Sequence, residues 1–132
     1  MNVVRMAAET AQRAVLNRVR LHRRFLAELP VRCLIQENEE TFREVVGHTG
    51  NVGLCGILTW LPETLAPGTL FRIHLGLPQG TVIAEGKVIW QDDDKVGNRP
   101  IPHGVQLLRF VEDAGGVQYR RFLGQTAASN YP

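Results

Sequence analysis

The sequence predicts a mainly β protein, an antiparallel barrel or sandwich of six strands flanked by a helix at each end. Three observations carry this. Apolar and polar residues alternate with period two through most of the stretch from Leu29 to Phe110. Turn signals, Pro67-Gly68 and Pro78-Gln79-Gly80 among them, separate the alternating runs. The composition, 44% hydrophobic and 21% charged over 132 residues, is that of one domain with its own core.

Taken in order, Asn2 to about Asn17 is rich in alanine and other strong helix formers, with Val4, Ala8, Ala11 and Val15 at helical spacing. A stripe this poor in large residues anchors little, so this arm is a linker helix or a partner-binding element. The first strand is "PVRCLIQEN", with Val31, Cys33 and Ile35 on one face. "TFREVVGH" is the second, with Phe42 and Val46 expected inward, and "GLCGILTW" the third, entered through a glycine-rich loop. "TLFRIHLGL" and "TVIAEGKVIW" follow, the latter alternating Val82, Ala84, Gly86, Val88 and Trp90 on one face. After the polar loop "QDDDKVGNRP", "HGVQLLRF" closes the series. Asp113 is placed to cap a short C-terminal helix that packs through Val117, Phe122 and Leu123. The expected division is an N-terminal helical arm over 1–18, a barrel domain with its short helix over 19–124, and a frayed tail over 125–132.

Several function classes are disfavoured. No apolar run approaches the ~18 residues of a membrane span. The N-terminus lacks the continuous apolar centre of a signal peptide, which points to the cytoplasm. The two cysteines, Cys33 and Cys55, have no CxxC spacing and read as small buried hydrophobes. The four histidines form no HxxH or HxxxH pair, so no metal or other cofactor is expected. Asp92, Asp93 and Asp94 cannot converge from an extended chain, because alternate side chains face opposite ways, and they read as a solvated loop. No serine or cysteine has a recognisable histidine partner, so no catalytic residue and no enzyme activity are expected.

Two features remain. Arg13, Arg18, Arg20, Arg23, Arg24 and Arg32 crowd together against the single acid Glu28, in a chain whose net charge is only +2. This is a local anion site or a solvated helix face. Arg20 and Arg24 share one face if helical, or lie about 13 Å apart if extended. Arginine forks match phosphates bidentately, pair with the O6/N7 edge of guanine and stack on flat bases. The second feature is "GHTGNVGLCGIL", with glycine at 47, 50, 53 and 56. No Gly-Lys-Ser/Thr follows it, and the next element is a strand, which excludes a P-loop. The repeat is too brief, and lacks the proline, for a collagen helix. A glycine-rich strand connection is left, where backbone approaches a neighbouring strand or a ligand.

Together the two features resemble the PilZ domain family. Its RxxxR motif ahead of the first strand is matched by Arg20-Leu21-His22-Arg23-Arg24, followed by "FLAELPVRC". Its (Asp/Asn)-x-Ser-x-x-Gly motif is matched by Asn51-Val52-Gly53-Leu54-Cys55-Gly56. "GKVIW" and "HGVQLLRF" look like its later strands, and the resemblance spans Val19 to Leu123. The resemblance implies a six-stranded antiparallel barrel that binds the bacterial second messenger cyclic di-GMP without catalysis. Arg20 and Arg24 would hold guanine faces and phosphates, with Arg23 between them. Asn51 would bond a guanine edge, and Gly53 and Gly56 would let the purines approach the backbone. Trp90 would stack on a base or fill the barrel core. Val19, just before the motif, leans toward one bound ligand molecule.

One departure stands out: the family's serine is Gly53 here. A lost hydroxyl costs about 0.5–1.5 kcal/mol, up to roughly tenfold in affinity. Weakened binding is expected, and restoring serine is expected to tighten it. The partners expected are cyclic di-GMP and an unidentified protein effector, reached when the ligand orders the arginine segment. The alternative is a PilZ-like adaptor that works by protein contacts without nucleotide. A nucleic-acid-binding barrel is disfavoured, because aromatics are only 7% and the arginines sit beside the barrel instead of along it.

Overall fold

Among the described residues, period-two alternation becomes seven strands, followed by a helix. The computed structural model describes residues 23–93 and 100–129. The expected N-terminal helix, Val19, Arg20 and Asp94 lie outside the described residues. The strands are β1 (Arg24–Leu26), β2 (Pro30–Gln36), β3 (Phe42–Gly53), β4 (Gly56–Leu61), β5 (Leu70–Leu77), β6 (Gly80–Gln91) and β7 (Ile101–Phe110). A helix, α1, covers Asp113–Ser129.

All pairings are antiparallel, in the order β1-β3-β2-β5-β6-β7-β4, and a further β3–β4 pairing closes the sheet. Six strands therefore form a closed barrel, and β1 lies outside the ring, paired among the described residues with β3. It continues the line of β2 along the same edge of β3, since β2 pairs with Phe42 to His48 and β1 with Asn51 to Gly53. The predicted turn at Pro67-Gly68 is present, with Gly68 at φ 95°.

The interior is filled by the inward parity of each strand, including Val31, Cys33, Val45, Ile57, Ile73, Leu75, Ala84, Val88 and Val105. Burial pushes the Cys33 thiol up to about 12. Phe42 and Val46, expected inward, are 57% and 54% exposed. Register explains the correction. Cys33 faces Val45 across the β2–β3 ladder, so the odd positions of β3 point in and the even ones point out. Trp90 is likewise corrected: it is 47% exposed, not part of a barrel core. The alternation of β6 holds through Val88, where a register shift against β7 turns both Ile89 and Trp90 outward.

The C-terminal helix is not short; it runs for 17 residues. It packs through Gly116, Tyr119, Phe122 and Leu123, spaced as one helix face, whereas Val117, expected to pack, is exposed. Tyr119 is fully buried, with its ring centroid 5.2 Å from that of Phe110.

Candidate functional site

The glycine-rich stretch is mostly strand: β3 runs through Gly47 and Gly50 to Gly53, and only Leu54 and Cys55 separate it from β4. This corrects the expected loop. β3 carries its own interruption. Thr49 pairs with Thr59 but Asn51 pairs with Leu58, so Gly50 is an extra residue, a β-bulge. Strict alternation from the buried Thr49 would turn Asn51 inward and Val52 outward. The bulge reverses this: Val52 is fully buried and Asn51 stands on the outer surface.

There Asn51 meets Arg24. β1 places Arg24 opposite Gly53, and Arg24 Nη1 donates to Asn51 Oδ1 at 3.1 Å. The arginine lies across the glycine floor. A Cβ on Gly53 would stand 2.8 Å from the Arg23 carbonyl oxygen and 2.9 Å from Arg24 Cδ. One on Gly56 would stand 2.9 Å from Arg24 Nη2. Both glycines are thus needed for this close approach. Cys55, in the turn between them, is only partly buried. Arg23 sits with its guanidinium 5.1 Å from the Phe25 ring centroid, a cation–π contact.

The structure therefore brings together Arg24, Asn51, Gly53 and Gly56, with Arg23 at the margin. Trp90 belongs to the same outer face: Asn51, Leu58, Gly104 and Trp90 occupy one cross-strand row. Three strand spacings put Asn51 and Trp90 at most about 14 Å apart along that row. The Trp90 indole folds over Gly104, where a Cβ would lie 2.1 Å from its Nε1.

Two buried residues that support the site escaped sequence reasoning. Tyr119 donates its phenol proton to the Gly53 carbonyl at 2.5 Å, which ties α1 to the hairpin tip. Burial raises its pKa, opposed by the Arg24 charge. Thr49 bonds the chain just after β1: its hydroxyl donates to Ala27 O at 2.6 Å and accepts from Leu29 N–H at 2.9 Å. A signal for Thr49 was present, since the inward residues Thr49 and Val52 are three apart where alternation demands two.

Elsewhere, Asp93 is held in its loop by the Thr64 hydroxyl and by a backbone bond to Gln91. Among the described residues no group of three His, Cys, Asp or Glu side chains could hold a metal ion. No helix among them is long and apolar enough to cross a membrane.

A closed small barrel with an arginine-and-amide clasp over a glycine floor on its outer wall defines the class: a small antiparallel β-barrel domain. The PilZ domain family model matches residues 18–125, more than half of the chain, and the protein belongs to that family. PilZ domains are non-enzymatic cyclic di-GMP-binding domains. Among solved structures, the chain is similar to the PilZ domain with c-di-GMP of YcgR from Escherichia coli. The TM-score is 0.55 at 18% identity, covering 81% of this chain and 90% of that one. A search of curated proteins gives no match.

Proposed function

We propose that this protein is a cyclic di-GMP receptor that passes ligand binding to a protein effector through its arginine segment. The observation that carries the reading is the clasp itself, the Arg24 guanidinium on Asn51 above Gly53 and Gly56. Arg24 presents its remaining donors to the surface. Asn51 already accepts from Arg24 through Oδ1, which leaves its amide N–H groups for a ligand. A donor-rich surface suits phosphate oxygens and the O6/N7 edge of guanine. Arg20 joins from the segment preceding β1, Arg23 flanks it, and Trp90 offers a stacking face in the same row. The barrel domain over 19–124 carries the site, and the arm over 1–18 transmits the ordering of the segment to the effector. Val19 favours a single bound ligand molecule.

The test is calorimetric titration with cyclic di-GMP, using GTP and cyclic di-AMP as controls. Selective binding near one ligand per chain is expected, and Arg24→Ala is expected to lose at least tenfold in affinity. Wild-type affinity in both Arg24→Ala and Arg20→Ala would remove the assignment.

A second reading, an adaptor working without nucleotide, has one observation in its favour. Arg24 occupies the space above Gly53 and Gly56, and the missing serine leaves less for a ligand to bond. Absence of any heat from a folded protein at high ligand concentration would select it.

A further inference from the structure

We propose that Thr49 is the positioning residue of the site, the clamp that holds the arginine strand on the barrel; its effect on ligand affinity rests on the receptor reading above. The two stretches of chain differ in length beside β1. Leu26 pairs with Asn51 and Pro30 with His48, so Ala27, Glu28 and Leu29 span the interval that only Thr49 and Gly50 fill on β3. The ladder cannot continue across this break, and the Ala27 carbonyl and the Leu29 N–H are left for other partners.

One hydroxyl serves both. It can donate one proton and accept on its lone pairs, and Thr49 does each, to Ala27 O and from Leu29 N–H. Its own backbone N–H donates to Leu29 O at 2.9 Å. Thr49 is fully buried, so water does not substitute for it. β1 itself is only three residues long and, among the described residues, pairs only with β3, which leaves its docking dependent on what fixes its end. Thr49 also flanks the bulge at Gly50 that turns Asn51 outward. The side chain that fixes the end of the Arg24 strand thus stands two residues from Asn51, at the bulge that aims it outward.

The experiment pairs Thr49→Val, which keeps the shape and deletes the hydroxyl, with Thr49→Ser, which keeps the hydroxyl. Amide hydrogen exchange of the ligand-free protein reads the clamp directly. In Thr49→Val, protection of the β1 amides that bond β3 is expected to fall at least tenfold relative to Ile73 and Ala84 in the barrel wall. Cyclic di-GMP affinity is expected to fall about tenfold in the same variant, with both properties recovered in Thr49→Ser. Unchanged β1 protection in Thr49→Val, or equal losses in the serine variant, overturns the proposal. If Thr49→Val fails to fold, Thr49→Cys, of similar volume and weak hydrogen bonding, is held to the same criteria. A wild-type protein that binds no cyclic di-GMP refutes the receptor reading alone, and the exchange data then decide the role of Thr49.

Discussion

Thr59 buries a hydroxyl with no hydrogen-bond partner among the described residues, directly across the ladder from the fully engaged Thr49. The two threonines have the same chemistry and opposite accounts. Thr49 satisfies two backbone groups, whereas an unpaired buried hydroxyl has left water for nothing. Thr59→Val is therefore expected to stabilise the fold by about 1 kcal/mol, a rise of a few degrees in Tm. Urea and thermal unfolding check this, and a lowered midpoint would show that the hydroxyl has a partner after all. The glycines follow similar residue-level logic. They were legible as positions of close approach, but not what approaches: Arg24 over Gly53 and Gly56, and the indole of Trp60, whose Nε1 would lie 2.6 Å from a Cβ on Gly50.

At the scale of elements, β1 and the hairpin depend on each other. Read from sequence alone, serine at 53 restores a ligand contact. In the structure its Cβ would stand only 2.8 Å from the backbone oxygen of Arg23. Backbone yields less readily than the end of a flexible side chain, so Gly53→Ser is expected to lift β1. Faster exchange of the β1 amides that bond β3, and weaker cyclic di-GMP binding, are the expected outcomes. Tighter binding with β1 still protected would reverse the argument. The expected strands all exist, because runs such as Val31, Cys33, Ile35 carry a period that only a strand can bury on one side. The errors cluster at bulges and register. In "TFREVVGH" the adjacent Val45 and Val46 suit either parity, and only pairing with Cys33 selects Val45. β1 was invisible as a strand because three residues are too few to show a period.

At the scale of the whole molecule, closure buries His103 inside the wall. Its Nε2 accepts from Leu65 N–H at 3.0 Å and its Nδ1 faces the Ile101 carbonyl at 2.9 Å, so the ring is neutral with the proton on Nδ1. Burial lowers its pKa from the ordinary 6.5, against the opposing pull of Ile101 and Asp93. His74 is lowered as well, by burial and by Arg32 and Arg72. A folded-state value below the unfolded one means that the unfolded chain binds more protons near that pH. The stability from neutral histidine is then complete above about 6.5 and is lost as pH falls below it. The urea midpoint is expected to stay level from about pH 8 to 7 and to drop toward pH 5, with His103 the larger contributor because it is the more deeply buried. A level midpoint down to pH 5 would mean that His103 is not held neutral.

The sequence by itself determined the strand periods, the glycine positions where a side chain has no room, and the order of the two motifs. These are local properties, set by side-chain alternation and by the absence of a Cβ. Only the tertiary structure decided which face each strand buries and where Asn51 points. It also set what lies on the glycines and which buried hydroxyls hold the site together. Those depend on register, and register is fixed by pairing between strands: β2 against β3, the distant β4 against β7, and the clamp at Thr49.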